Sequence, residues 1–249
     1  MNGPPRGPFI IAPGAPPDTF PDASMAMDEP DGLLAIGGDL SEARLLAAYQ
    51  RGIFPWYSDN EPILWWTPDP RCVLYPADVR VSRRLARTIR SGRYEIRLNT
   101  AFDQVVHACA GPRSYTQETW ITSAMAQAYG ALHAHGHAHS IEAWRDGELA
   151  GGLYGVGVGR AFFGESMFSA QRDASKVILA HLGAWLENHE FGLIDCQVAS
   201  SHLMSMGATL IPRSDFNQRL RQLTTQTSPV GAWTKGQKLP CPAHLRALQ

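Results

Sequence analysis

The chain has 249 residues, 22 Lys plus Arg against 23 Asp plus Glu, a formal net charge of -1 and 44% hydrophobic residues. This excludes a disordered or collagen-like chain, and the length suits one large domain, alone or with a small companion, that buries a core without a metal or disulfide staple. No window approaches the roughly 18 consecutive apolar residues of a membrane span, and the start, MNGPPRGPFIIAPGAPP, lacks a basic-then-apolar signal pattern, so a cytoplasmic protein is expected.

In chain order, residues 1–19 are rich in Pro and Gly and read as a disordered tail. Ser41 reads as an N-cap for a helix over 42–51, with Leu40 and Leu45 as a hydrophobic staple and Gly52 just past its end. The stretch GIFPWYSDNEPILWWTPDPR is too Pro-broken for a helix and holds Trp56, Trp65 and Trp66. A boundary near Asp69 divides a small N-terminal domain, 20–69, from the main one, 70–249. Ser82 to Ser91 reads as a short helix on which Arg83, Arg87 and Arg90 share a stripe opposite Leu85 and Ile89, with Arg84 beside it. Seven of the 18 residues from Arg80 to Arg97 are Arg against one carboxylate, Glu95. Positive charge in a first helical turn opposes the helix dipole, so these arginines point to a polyanion, most simply nucleic-acid phosphate. Exposed aromatics in the Trp-rich stretch would suit stacking on unpaired bases.

A helix is expected over 121–135, then three strands, HSIEAW, ELAGGLYGVGVG and RAFFGESMFS, a helix capped by Asp173, and the strand LIDCQVA. Strands followed by a helix and a further strand make an α+β layered domain. In LIDCQVA, alternation puts Asp195 and Gln197 on one face and Ile194, Cys196 and Val198 on the other. A carboxylate beside an amide is either a solvated strand face or a pair in which Asp195 orients Gln197 to take a substrate N–H. Glu165, next to Gly164 in an apolar run, is either a strand-end carboxylate or a third member of that constellation. His133, His135, His137 and His139 do not form a convergent metal set, because a helix end and Gly136 interrupt the alternation. Cys72, Cys109, Cys196 and Cys241 lie far apart in sequence and read as reduced, mostly buried thiols. GxGxxG and GxSxG motifs are absent.

Nine ordered blocks then carry a resemblance: GLLAIGGDLS (32–41), YQRGIFPWYS (49–58), ILWWTPDPR (63–71), TWIT (119–122), GHAHSIEAW (136–144), GGLYGV (151–156), FGESMFS (163–169), ASK (174–176) and IDCQV (194–198). Together they resemble the bacterial leucyl/phenylalanyl-tRNA-protein transferase family over about 20–213. The resemblance implies a small N-terminal domain packed on a GNAT-like acyltransferase domain. It also implies transfer of Leu or Phe, less readily Met, from aminoacyl-tRNA to an N-terminal Arg or Lys of acceptor proteins, marking them for N-degron degradation. Neither cofactor nor metal is called for, because the tRNA ester is already activated; the chain would act as a monomer. IDCQV and FGESMFS carry over Asp195, Gln197 and Glu165 as candidate catalytic residues. Trp56 and Trp120 would lie near the terminal adenosine, Met167 and Leu179 would shape an apolar side-chain pocket, and the helix bearing Arg83, Arg84, Arg87 and Arg90 would meet acceptor-stem phosphates. Ile194 is left out of the pocket because alternation points it away from Gln197. Glu118 and Leu182 depart from the family pattern, which has Gly and an aromatic there, and residues after about Arg213 are assigned no role. The runner-up enzyme, a CoA-dependent acyltransferase, needs a Gly-rich pyrophosphate loop, and SAQRDASK has no glycine. A non-enzymatic RNA-binding module is the other alternative.

Overall fold

The computed structural model describes residues 7–111, 121–229 and 231–246. Two sheets form it. The smaller contains β1 (Phe9–Ile11), β2 (Leu33–Gly37), β3 (Phe54–Pro55) and β4 (Leu64–Trp66) in the order β1-β2-β4-β3. The larger contains β5 (Arg71–Leu74), β6 (Glu95–Leu98), β7 (Ala138–Arg145), β8 (Glu148–Val158), β9 (Ala161–Ser169), β10 (Leu193–Gln197), β11 (Thr209–Ile211) and β12 (Lys238–Leu239), ordered β11-β5-β10-β9-β8-β7-β6-β12. The chain crosses from one sheet to the other between Trp66 and Arg71, and the architecture is mixed α+β.

Seven helices matter to the site: α1 (Glu42–Tyr49), α2 (Arg83–Arg90), α3 (Phe102–Ala110), α4 (Ser123–Ala134), α5 (Ala174–Asn188), α6 (Ser201–Ser205) and α7 (Arg213–Thr224). Ser41, Ser82 and Thr122 cap α1, α2 and α4 with their hydroxyls, each accepting a first-turn N–H and so satisfying one of the orphan donors of a helix start. Asp173 occupies the N-cap position of α5 but makes no cap bond. Its backbone is left-handed at φ 66°, and its carboxylate faces Arg84 and Arg172 instead.

Strand β8 explains how helices reach both faces of the large sheet. A Cβ on Gly151 would stand 2.8 Å from Ala174 Cβ of α5, and one on the next residue, Gly152, 2.7 Å from Val105 of α3. Successive strand residues face opposite ways, so these two glycines let α5 close on one face and α3 on the other. Gly152→Val is therefore expected to cost about 2–3 kcal/mol by overpacking against Val105 and Phe168, read as a lowered urea midpoint at unchanged slope.

The tail expectation needs correcting. Phe9 to Ile11 pair in parallel with Ala35 to Gly37, and the fully buried Arg44 guanidinium of α1 takes the carbonyls of Ala15, Pro16 and Pro17. A Pro/Gly-rich stretch that buries little apolar area is thus held by backbone acceptors serving a buried cation, which composition does not register. Helix α3 carries Phe102, Val105, Val106 and Cys109 into the core and was not foreseen. Helix α7, in the segment assigned no role, buries Phe216 and Leu220. Trp65, read as a possible stacking surface, is fully buried and donates to Gly37 O, whereas Trp56 is 43% exposed.

Candidate active site

Strands β9 and β10 run parallel and pair only as far as Phe163 and Asp195. Beyond that point β9 stays with β8 to Ser169 while β10 turns away, and a cavity of about 1050 Å³ opens in the gap. Open α/β sheets place ligands in such a cleft, outside the carboxyl ends of parallel strands where neighbours part. Glu165 and Met167 enter it from β9, Ile194 and Gln197 from β10, Leu179 from α5, and Trp56 from the segment after β3. Five of the residues singled out in the sequence are therefore brought together. Trp120 and Glu118 lie outside the described residues. Leu182 is fully buried in the core and does not line the cavity.

Ile194 lines the cavity beside Gln197, contrary to strict alternation, and Asp195 does not line it. The cause is a bulge. The register against β5 shifts between Asp195 and Gln197, and Gln197 takes φ 61°, in the left-handed region. The strand ends there, and Val198 and Ala199 are exposed rather than continuing it. A left-handed non-glycine residue costs on the order of 1 kcal/mol, offset here because Asp195 Oδ1 accepts the Gln197 backbone N–H at 2.9 Å.

Asp195 does not touch the Gln197 amide directly. Asp195 is fully buried and bound in parallel by Arg71, Nε to Oδ1 at 2.8 Å and Nη2 to Oδ2 at 2.6 Å. Its contact with Gln197 is to the backbone. The amide itself donates from Nε2 to Glu165 Oε1 at 2.9 Å. Removing one partner of a buried pair such as Arg71 and Asp195 strands the other charge, at a cost of about 3–5 kcal/mol.

Glu165 is the centre of the polar cluster. Tyr49, the last residue of α1, donates to its Oε1 and Tyr129 of α4 to its Oε2, each at 2.8 Å, and the two phenol oxygens also touch. Burial pushes the Glu165 carboxyl up from 4.5 to about 7, opposed by the bonds from Tyr49, Tyr129 and Gln197 and assisted by the charge of Asp195. Both phenols are raised well above their ordinary value, by burial first and by the Glu165 charge second. Sequence reasoning missed Tyr49, Tyr129 and Arg71. Tyr49 and Arg71 stand at the edges of resemblance blocks. An arginine opening the apolar run RCVL was a legible sign of a buried cation in need of a carboxylate.

The arginines of α2 lie on its exposed face. Arg84 reaches Asp173 at 3.5 Å and Arg90 the carbonyl of Leu245, while Arg83 and Arg87 make no ion pair among the described residues. The four histidines do not share one site: His133 Nδ1 meets Ala138 O and its ring stacks on Phe102, His139 stacks on Trp233, and His135 and His137 both face the Glu42 carboxylate. Of the cysteines, Cys72 and Cys109 are buried and Cys196 and Cys241 partly so. No helix among the described residues is long and apolar enough to cross a membrane.

Comparison with known proteins matches residues 73–221 to the leucyl/phenylalanyl-tRNA protein transferase family and residues 38–69 to the N-terminal domain of the same family. The transferase of this name from Nitrosomonas europaea is 56% identical over 214 residues, 86% of this chain and 91% of that one. That from Thiobacillus denitrificans is 55% identical over 215 residues, 86% of this chain and 94% of that one. Among solved structures, L-PGS from Bacillus licheniformis aligns with a TM-score of 0.41 at 8% identity, over 68% of this chain and 54% of that one, a likeness that carries no argument. The class is thereby defined: this α+β chain with its cavity between parting strands is a transferase enzyme. It belongs to the leucyl/phenylalanyl-tRNA-protein transferase family.

Proposed function

We propose that the cavity between β9 and β10 joins Leu or Phe, and less readily Met, from aminoacyl-tRNA to the N-terminal Arg or Lys of acceptor proteins, marking them for N-degron degradation. The observation that carries this reading is the Gln197 amide on the cavity wall, its Nε2 held by Glu165 and its Oε1 taking no hydrogen bond among the described residues, so that the oxygen is available as an acceptor. An α-amino group has an ordinary pKa of about 7.7–8.0, so a substantial neutral fraction is available near pH 7 and positioning is the main task. The amine nitrogen attacks the ester carbonyl carbon while Gln197 Oε1 accepts one of its N–H groups. A C–N bond forms, the ester C–O bond to the ribose breaks, and the amine's surplus proton ends on the ribose oxygen. Aminolysis of an ester to an amide is downhill, so the step draws on no ATP.

Met167 and Leu179 offer an apolar wall to the donor side chain, and a flexible thioether adapts to both Leu and Phe. Trp56 and Trp120 would flank the terminal adenosine. Glu165, when ionised, favours a cationic acceptor terminus. A GNAT-like catalytic domain, a cytoplasmic location and action as a monomer complete the proposal. Its test follows label from Leu-charged tRNA into a peptide beginning with Arg, against a control beginning with Ala, without ATP or CoA. Transfer to the Arg peptide alone is expected. No transfer with tRNA binding intact overturns the reading.

The exposed Arg83 and Arg87 are proposed to meet acceptor-stem phosphates. The double replacement Arg83→Ala, Arg87→Ala is expected to flatten the slope of log K against log salt by about 2 while leaving kcat at saturating tRNA unchanged. An unaltered salt slope removes these residues from the interface.

A further inference from the structure

We propose that Arg71 is a positioning residue for the transfer: acting through Asp195, it holds the bulge that aims the Gln197 amide into the cavity. The proposal rests on the reading of this cavity as the transfer site.

Three observations lead to it. First, the guanidinium is committed. Arg71 has no exposed surface, spans both Asp195 oxygens, and lies between the rings of Phe54 and Phe216, 4.8 and 4.6 Å from their centroids. Those rings come from β3 and α7, so the small sheet and a late helix jointly fix the cation, and the bidentate fork fixes the carboxylate in turn. Second, Asp195 Oδ1 is shared between Arg71 Nε and the Gln197 backbone N–H. The carboxylate thus reaches the main chain two residues on and makes no hydrogen bond with the Gln197 amide. Third, that main-chain bond sits at the register shift against β5, where φ of Gln197 turns positive. The turn brings Gln197 into the cavity wall alongside Ile194 while Asp195 stays behind it. The chain of control runs from Phe54 and Phe216 to Arg71, Asp195, the Gln197 backbone and lastly the Gln197 amide.

A role by position differs from a role by charge in one testable respect. Asn at 195 retains an oxygen that can accept the Gln197 N–H, and Met at 71 fills much of the slot between two phenyl rings without a charge. If Asp195 serves the reaction only by holding the bend, neutralising both partners together restores what neutralising one destroys.

The experiment measures kcat and KM for leucyl transfer to an Arg peptide, with thermal melting, for the full chain and for Arg71→Met, Arg71→Lys, Asp195→Asn and the double variant Arg71→Met, Asp195→Asn. Arg71→Met is expected to lower kcat on the order of 100-fold with KM for aminoacyl-tRNA little changed, as for a misplaced reacting group. Arg71→Lys, which keeps the charge but not the fork, should fall between. The double variant should recover to within about tenfold of the parent chain. Full activity in Arg71→Met overturns the proposal. So does a double variant that melts like the parent yet stays as slow as Arg71→Met, because the Asp195 charge itself would then be what the reaction uses. If Arg71→Met fails to fold, the double variant, which contains no uncompensated charge at this site, decides the matter alone. Absence of transfer by the parent chain overturns the reading of the site and this proposal with it; transfer by the parent with an unimpaired Arg71→Met overturns this proposal only.

Discussion

Replacement of Gln197 by Ala is expected to lower kcat for leucyl transfer by about 10³-fold, within the range lost with a positioned proton acceptor, while KM for aminoacyl-tRNA stays within about twofold. The side chain contributes one polar contact to the fold, Nε2 to Glu165, so its removal leaves the carboxylate with its two phenol donors and the structure intact. The backbone at this residue offers an internal control. Because φ is 61°, Gly is more at ease here than Ala. Gln197→Gly should therefore melt above Gln197→Ala, by on the order of 1 kcal/mol, while being equally slow. A rate within tenfold of the parent in either variant, by steady-state label transfer, would remove the amide from the chemistry.

The second large effect is the pH response of Glu165. Its carboxyl, at about 7 in the folded chain against 4.5 ordinarily, keeps its proton longer than in the unfolded chain. Between those values the folded carboxyl binds more protons than the unfolded one, so its contribution to stability falls as pH rises from 4.5 through 7, by about 3 kcal/mol, while the buried His139, held at about 3, contributes in the opposite sense. The contacts explain why the neutral form is comfortable. Three oxygen contacts join Tyr49, Tyr129 and Glu165, and two phenols supply only two protons; a proton on the carboxyl completes a closed ring of donors and acceptors. Asp195, also close, opposes ionisation further. The ionised form is the one that attracts a cationic acceptor, so KM for an Arg peptide should fall as pH rises through about 7. Glu165→Gln should abolish both contributions: the urea-derived stability of the parent relative to the variant falls by about 3 kcal/mol from pH 4.5 to 7, and the variant's acceptor KM is about tenfold higher and independent of pH there, while the amine's own ionisation still shapes kcat. A stability difference between parent and Glu165→Gln that rises or stays flat over this interval would contradict a raised Glu165 carboxyl.

How far the site could be read from sequence depends on the range of the forces involved. Local signals carried well: the caps at Ser41 and Ser82 and the strands around Gly151 and Glu165 depend on neighbours within a few residues. The candidates Trp56, Glu165, Met167, Leu179 and Gln197 do meet around one cavity. Alternation set Ile194, Cys196 and Val198 opposite Asp195, as found, but it put Gln197 with Asp195, because it assumes an unbroken ladder, and the register shifts after Asp195, whose carboxylate is held by an arginine 124 residues away. Tyr49 and Tyr129 escaped notice for a similar reason: 80 residues separate them, and only the fold makes both donors to one carboxylate. The early strand at Phe9–Ile11 was hidden by its prolines and glycines, since its anchors are carbonyl oxygens, which every residue type offers.

One apolar cluster runs from Ile11, Leu34 and Trp65 of the small sheet through Tyr49 to Val73, Phe163 and Leu193 of the large one. The seam between the two family-matched segments is therefore a seam in sequence and not in cohesion. A cut anywhere from Thr67 to Pro70 would leave two fragments, each lacking one wall of a shared interior. The larger fragment would also lose the Tyr49 donor to Glu165 and the Phe54 ring over Arg71.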